Sequence, residues 1–125
     1  MFHWPVEGQI LSGFGDMTND VSNKGIDIQA PEGTAIKAAL EGKVSFASDQ
    51  VKGYGNMIIL DHSNGFQTVY AHNSVNLVTV GQQVAKGQAI GNVGSTGRAS
   101  SAFLHFEIRH NHRPVNPLQY LTDKK

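Results

Sequence analysis

The chain has 125 residues, ten basic and ten acidic side chains, a hydrophobic content of 39% and no cysteine. This length fits one domain, which buries roughly two-thirds of the unfolded chain's surface. A net charge of zero argues against nucleic acid or an anionic membrane as a partner. The missing cysteines exclude disulfides and thiolate zinc sites. No run approaches the ~20 apolar residues of a membrane span, and the first residues lack a signal-peptide pattern.

Fourteen glycines and four prolines separate short apolar runs, which predicts many short strands and no long helix. The strands predicted in chain order are Gly8 to Ser12, Gly25 to Gln29, Thr34 to Ala38, Gly42 to Ser48, Asn56 to His62, Phe66 to His72, Gln83 to Ala85, Ala89 to Val93 and Leu104 to Arg109. The turn Ser63-Asn64-Gly65 predicts an antiparallel hairpin between two of these strands. Regular turn signals of this kind favour an all-β sandwich or barrel. Residues 123–125 are predicted to fray.

Polar residues inside predicted strands mark a candidate site. Strand alternation directs His105 away from the core, on the same side as Phe103 and Glu107, and it places Tyr70 and His72 on one face. Three strands would then direct Asp27, His72 and His105 into one groove, where imidazole and carboxylate groups are suitable zinc ligands. Taken alone, Asp27 and His105 fit ordinary polar residues at a sheet edge better than metal ligands. The remaining histidines are interpreted as solvated or terminal: His3, His62, His110 and His112.

Several motifs, in order, resemble the LytM or lysostaphin-type peptidase domain. They are NKGIDI, PEGT, GYGN, YAH, GSTG, LHFEIR and PVNPLQYL, and the resemblance as a whole extends from Trp4 to Leu121. The resemblance implies a single domain over residues 1–125 with a core at about 4–121. It also implies a mostly antiparallel β-sandwich, built from a duplicated hybrid motif, with an open groove across one sheet. The chain is then expected to be the C-terminal part of a longer envelope protein.

The resemblance also implies which residues would form the zinc site of an active member. Such members use an H-x-x-x-D motif, the histidine of Tyr-x-His, and an H-x-H motif whose second histidine binds zinc. Asp27, His72 and His105 match these positions. Asn23 stands at the first zinc ligand, however, and Phe103 stands at the first histidine of H-x-H.

These two replacements predict a loss of catalysis. An amide oxygen is a poor zinc ligand beside an imidazole, and even changes around the ligands typically cost roughly 10–100-fold in metal affinity. A phenyl ring at Phe103 forfeits proton transfer, usually worth ~10²–10⁴-fold in rate. We therefore expect no catalytic residue, no bound metal and no cofactor, with His72 a relict of catalysis and Asp27 and His105 relict ligand positions.

The same two losses occur in the subgroup that this chain resembles most, the NlpD- and EnvC-type activators of cell-division amidases. The resemblance implies a non-catalytic activator of a cell-wall N-acetylmuramoyl-L-alanine amidase, acting in daughter-cell separation. It implies a periplasmic or envelope location, and an outer-membrane lipoprotein as the full-length form. The amidase would dock in the groove lined by Asn23, Asp27, Tyr70, His72, Phe103 and His105, with peptidoglycan as a further partner.

Two other functions remain open at this point. An active zinc endopeptidase would need a rearranged site, for example one that recruits a histidine from the 110–112 loop. A module that only binds peptidoglycan would need neither metal nor amidase. Zinc content and activity on isolated cell walls discriminate among the three functions.

Overall fold

The computed structural model describes residues 2–122, and strands make up nearly all of its regular structure. The strands are β1 (Ile10–Ser12), β2 (Met17–Thr18), β3 (Val21–Ser22), β4 (Ile26–Gln29), β5 (Ala35–Lys37), β6 (Gly42–Ser48), β7 (Asn56–Asp61), β8 (Phe66–Asn73), β9 (Val75–Asn76), β10 (Gln83–Val84), β11 (Ala89–Asn92), β12 (Phe103–His110) and β13 (Arg113–Val115). One short 3₁₀ helix follows at Pro117–Gln119. The predicted frayed end, residues 123–125, lies outside the described residues.

The strands form a large sheet, a small sheet and a separate hairpin. The large sheet has eight strands in the order β1-β4-β12-β8-β7-β6-β10, with β13 also paired to β12. The small sheet has the order β5-β11-β9, and β2 pairs with β3. All of these pairings are antiparallel, so the predicted all-β, mostly antiparallel architecture is confirmed.

One apolar core joins the two sheets into a sandwich. The large sheet contributes Ile28, Leu60 and Phe106, and the small sheet contributes Ile36 and Ile90, all of them fully buried. Burying a side chain of this kind contributes roughly 1.5–3 kcal/mol to stability. Alternate residues of the central strands therefore face this core, and the residues between them face outward.

The predicted strands correspond to observed ones, with ends that differ by one or two residues. The hairpin predicted around Ser63-Asn64-Gly65 is confirmed as β7 and β8. Four short strands were not predicted: β2, β3, β9 and β13. Among them, β2 and β3 matter most for the site, because their hairpin forms part of a cavity wall.

Two histidines outside the groove are not merely solvated, in contrast to the sequence interpretation. His62 Nδ1 lies 2.7 Å from the Glu41 carbonyl oxygen, and its Nε2 lies 2.8 Å from Thr68 Oγ1. The ring of His110 stacks on the ring of Phe66 with 4.2 Å between the centroids, whereas His112 is exposed. Within residues 2–122, no helix has the length and apolar character needed to cross a membrane.

Candidate functional site

A cavity of about 700 Å³ lies on the outer face of the large sheet, where β4, β8 and β12 run side by side. The β2–β3 hairpin, the turn at residues 52–54 and the loop before β12 complete its walls. Its lining is mostly polar: Ser12, Asp16, Thr18, Asn19, Val21, Ser22, Asn23, Lys24, Asp27, Lys52, Gly53, Tyr54, His72, Arg98, His105 and Glu107.

His105 lies between two carboxylates at the floor of this cavity. Its Nδ1 is 2.7 Å from Asp27 Oδ1, because β12 pairs with β4 in a register that places these two residues opposite each other. Its Nε2 is 2.8 Å from Glu107 Oε2, two positions along the same strand. An ionised carboxylate only accepts hydrogen bonds, so both ring nitrogens of His105 donate. The geometry therefore requires a protonated, positively charged imidazole.

Glu107 connects this imidazole to two further side chains. It is fully buried, and its Oε1 accepts hydrogen bonds from Arg109 Nε at 2.8 Å and Nη2 at 2.7 Å. Its Oε2 also accepts a hydrogen bond from the Tyr54 hydroxyl at 3.0 Å. Two carboxylates and two cations thus form a network with no net charge. A buried group of this kind is tolerated only when its members are paired and hydrogen-bonded.

The pKa values of these groups follow from burial and from their partners. Burial by itself would lower the pKa of His105, but hydrogen bonds to Asp27 and Glu107, and the charges of both, raise it to about 9. Burial opposes ionisation of Glu107, yet His105 and Arg109 lower its pKa. Burial raises the pKa of Tyr54, and the charge and hydrogen bond of Glu107 bring it to about 12. At neutral pH the network is therefore charged at His105, Glu107 and Arg109.

His72 faces the cavity because the backbone of β8 turns at this residue. Its φ is 67°, in the left-handed region that residues with a Cβ seldom adopt. Its N–H donates to the Tyr54 carbonyl at 2.8 Å, and its Nδ1 donates to the Thr96 carbonyl at 2.7 Å. Burial lowers the pKa of His72, and the neighbouring charge of His105 lowers it further. His72 is thus neutral, with Nδ1 protonated.

The two positions that depart from the active pattern have well-defined surroundings. Asn23 lines the cavity, but its amide is already bonded: Nδ2 donates to Ser12 Oγ at 2.9 Å, and Oδ1 accepts from the Gly25 N–H at 3.0 Å. Phe103 does not line the cavity. Its ring packs edge-on against His72, with the ring centroids 5.1 Å apart.

Tyr70 corrects the predicted groove. Alternation along β8 predicted that Tyr70 and His72 share a face, but Tyr70 is fully buried in the core. Its hydroxyl accepts a hydrogen bond from the Ala39 N–H at 2.9 Å and lies 2.8 Å from Thr68 Oγ1. The alternation fails because the left-handed backbone at His72 rotates that side chain to the opposite face. Four of the six predicted groove residues therefore line the cavity: Asn23, Asp27, His72 and His105.

Sequence reasoning missed several residues that define the site. Strand alternation placed Glu107 on the same side as His105, but Glu107 was not included in the groove, and Arg109, the next residue of the same alternation, was missed. Tyr54 lies in a turn and gives no periodic signal. The cavity-lining cations Lys24, Lys52 and Arg98 lie outside the strands, and only the fold brings them together.

Comparison with known proteins identifies the family. The model of a family described as Peptidase family M23 matches residues 21–117, which include every polar residue of the network. The chain belongs to peptidase family M23. This assignment confirms the predicted LytM-type domain.

Three relatives show which members of the M23 family this chain is similar to. It is 45% identical to the murein hydrolase activator NlpD of Escherichia coli over 98% of its own length. It is 43% identical to the outer membrane antigenic lipoprotein B of Haemophilus influenzae over 97%, and 38% identical to the cell division protein DipM of Caulobacter vibrioides over 93%. The chain spans only 32%, 29% and 20% of these relatives' lengths, respectively.

The fold is similar to that of a solved structure of a zinc-containing protein. A zinc-containing peptidase from Vibrio cholerae superposes with a TM-score of 0.88 and 31% identity, over 99% of this chain and 40% of that one. The M23 sandwich is therefore shared with a protein that contains zinc, which raises the question of whether this chain's residues suit the metal.

The side chains present do not fit a zinc ion. Zinc in proteins takes imidazole, thiolate or carboxylate ligands, with at least three from the protein. Asn23 offers an amide that is already hydrogen-bonded, and both nitrogens of His105 carry protons directed at carboxylates. Among the described residues, no three His, Cys, Asp or Glu side chains are grouped so as to hold a metal ion.

Proposed function

We propose that this M23 domain is a non-catalytic activator of a murein hydrolase, specifically an N-acetylmuramoyl-L-alanine amidase, and that it acts during daughter-cell separation in the cell envelope. The observation that carries the proposal is the hydrogen bonding of both ring nitrogens of His105. Its two nitrogens donate to Asp27 and Glu107, so the position of a metal ligand is taken up by an internal ion pair. The cavity above this ion pair remains large enough to receive a segment of another protein.

The relatives support the regulatory role. NlpD is named as a murein hydrolase activator, and DipM is named as a cell division protein. Murein is the peptidoglycan of the cell wall, and a relative is named as an outer membrane lipoprotein. These names favour an envelope location, with a lipoprotein as the full-length form, and a hydrolase as the partner.

Activation without chemistry requires a partner with two states. Docking can shift such a partner toward its active state only if the domain binds that state more tightly. A hydrolase whose own site is blocked by one of its segments would respond in this way. The groove would then bind the active conformation through shape and hydrogen bonding.

An assay with labelled cell walls tests the proposal. Isolated sacculi are incubated with the domain, with a purified amidase from the same organism, or with both, and released fragments are counted. The proposal expects no release by the domain alone and a several-fold increase when both are present. Chelator-sensitive release by the domain alone would instead establish an endopeptidase. Co-sedimentation with sacculi but no increase in release would establish a peptidoglycan-binding module.

A matched pair of variants tests whether the groove is the docking surface. Val21 lines the cavity and Val80 does not, yet each side chain is 64% exposed. Val21→Glu places a charge in the groove without disturbing the core and should abolish most of the activation. Val80→Glu makes the same chemical change elsewhere and should leave activation unchanged. Equal activation by both variants would place the docking surface outside the groove.

A further inference from the structure

Three cationic side chains from separate segments line the cavity. Lys24 precedes β4, Lys52 lies in the turn after β6, and Arg98 lies in the loop before β12. All three residues are exposed. The side chain of Arg98 covers Gly53: a Cβ added at that glycine would lie 3.1 Å from the guanidinium carbon, which brings Arg98 beside the turn that carries Lys52. The fold thus gathers cations that are far apart in sequence.

The acids that line the same cavity already have partners. Asp16 accepts a hydrogen bond from the Gly13 N–H at 2.7 Å, Asp27 bonds His105, and Glu107 bonds His105 and Arg109. Within residues 2–122, none of the three cations forms an ion pair, in contrast to His105 and Arg109. The chain as a whole has no net charge. The groove therefore presents unpaired positive charge that composition alone does not reveal.

One exposed apolar side chain lies beside these cations. Val21 lines the cavity from the β2–β3 hairpin and is 64% exposed, whereas the other lining residues of that hairpin are polar: Thr18, Asn19 and Ser22. An exposed aliphatic side chain beside unpaired cations suits a ligand with both apolar and acidic groups. An amphipathic protein segment offers this combination at adjacent positions. The stem peptides of peptidoglycan also carry carboxylates, but they have only small aliphatic groups to cover the Val21 side chain.

We propose that the groove recognises an acidic, amphipathic segment of the hydrolase, whose carboxylates pair with Lys52, Arg98 and Lys24 while its apolar side packs against Val21. This inference rests on the proposed function and adds the chemistry of the docking segment. Charge complementarity of this kind speeds association and selects the partner. Because the cations are exposed, the interaction weakens as salt rises.

Charge reversal tests the inference directly. The double variant Lys52→Glu with Arg98→Glu is compared with Lys37→Glu with Arg113→Glu, which makes the same change at exposed residues that do not line the cavity. Binding of the purified amidase is measured by calorimetry at low and at high salt. The groove variant should bind roughly tenfold or more weakly and lose the salt dependence of the wild type, while the control binds as the wild type does.

Further measurements separate the possible outcomes. Both variants should unfold at the wild-type temperature, since none of the four side chains makes a hydrogen bond or ion pair within residues 2–122. Equal loss in both variants, or no loss in either, overturns the inference. Loss of sacculus binding with intact amidase binding also overturns it, in favour of stem peptides. If the wild type activates the amidase but charge reversal changes nothing, the proposed function stands and the inference of an acidic docking segment is wrong. If the wild type fails to activate, the proposed function itself is wrong.

Discussion

The ring of Phe103 lies edge-on against the ring of His72, with 5.1 Å between their centroids and 64° between their planes. Edge-to-face contacts of aromatic rings are worth about 0.5–1.5 kcal/mol beyond the area that they bury. The contact covers one side of a neutral histidine with an apolar ring. Phe103, which the sequence predicts to replace a proton-transferring histidine, therefore contributes packing here.

Histidines at the two positions predicted to have lost them should create metal binding. In the double variant Asn23→His with Phe103→His, the imidazole at residue 23 joins Asp27 and His105 in a three-ligand donor set that zinc prefers, and the imidazole at residue 103 lies next to His72. We expect its zinc affinity to exceed that of the wild type by more than the roughly 10–100-fold effect of second-shell changes. Elemental analysis after dialysis measures the retained metal. The control Asn23→Gln with Phe103→Leu should retain none, and a stoichiometric zinc in the wild type would contradict the prediction.

His105 should remain protonated well above neutral pH. Its pKa in the folded chain, about 9, exceeds the ordinary value of 6.5. Between these two values the folded chain binds the extra proton and the unfolded chain does not, so the stabilisation is complete below pH 6.5 and is lost as pH rises through about 9. The loss is on the order of 3 kcal/mol. Urea unfolding at a series of pH values measures it.

Nuclear magnetic resonance of the imidazole nitrogens supplies the control for this titration. Both nitrogens of His105 should carry protons at pH 7.5, whereas His72 should carry one. Tyr54, with a pKa of about 12, does not titrate in this range. A midpoint of His105 near 6.5 would show that the two carboxylates do not hold its proton.

Glu107→Gln should destabilise the fold more than any other neutralisation of an acid in the groove. The change removes the fully buried carboxylate that pairs with His105 and Arg109, and breaking a buried ion pair from one side costs roughly 3–5 kcal/mol. Arg109 is 26% exposed and can turn toward water, which places the expected loss at the lower end. Thermal unfolding measures it. Glu32→Gln, at an exposed turn, should change stability by no more than ~0.5 kcal/mol.

His62 should make the fold sensitive to acid. The Glu41 carbonyl only accepts, so His62 Nδ1 donates to it and Nε2 accepts from the Thr68 hydroxyl. Burial lowers the pKa of His62 below 6.5, although the Glu41 carbonyl and Asp61 oppose the shift. As pH falls below 6.5 the unfolded chain takes up the proton first, so stability falls.

A variant of His62 distinguishes its contribution to the acid sensitivity from that of the second buried histidine. His72 also has a lowered pKa and contributes to the same acid loss. His62→Gln should therefore reduce the slope of unfolding free energy against pH between about 6.5 and 5 without abolishing it. His112→Gln, at an exposed turn, should leave the slope unchanged. An unchanged slope in His62→Gln would mean that folding does not lower the pKa of His62.

Much of the fold could be predicted because its signals are local. Alternating apolar residues and glycine-containing turns identify β7, β8 and β12, and the alternation in β12 correctly directs His105 away from the core. The β2–β3 hairpin was missed because its strands have two residues each. Its turn carries Asn19 and Asp20, both with positive φ. Asn and Asp tolerate this conformation, so the dipeptide was a usable signal.

The site was harder to predict because its members depend on contacts between distant segments. Asp27 and His105 meet through a strand register that no local pattern specifies. The loops at residues 53–55 and 96–98 meet backbone to backbone: a Cβ at Gly97, whose φ is 75°, would lie 2.5 Å from the Gly55 nitrogen. This contact positions Tyr54 and Arg98 in the cavity wall. The spacing of these residues along the sequence does not indicate this contact.

A variant of Tyr70 tests whether this side chain lies in the core and not in the groove. Tyr70→Phe removes the hydroxyl that accepts from the buried Ala39 N–H, so the change leaves this N–H without its partner, while Thr68 keeps its hydrogen bond to His62. This should cost about 1–3 kcal/mol of unfolding free energy, measured with urea. Tyr120→Phe is the matched control. Its ring packs against Phe2 and Phe66, and within residues 2–122 its hydroxyl makes no hydrogen bond, so the loss of that hydroxyl should change little.

The same variant should leave activation of the amidase intact, because the side chain of Tyr70 faces the core and is fully buried. Val21→Glu should show the opposite behaviour, with normal stability and impaired activation. This crossed pattern distinguishes a residue that supports the sheet from one that faces the partner. If Tyr70→Phe kept full stability but impaired activation, the Tyr70 hydroxyl would have to reach the groove. The left-handed backbone at His72 would then be the wrong explanation for Tyr70 and His72 facing opposite sides of the sheet.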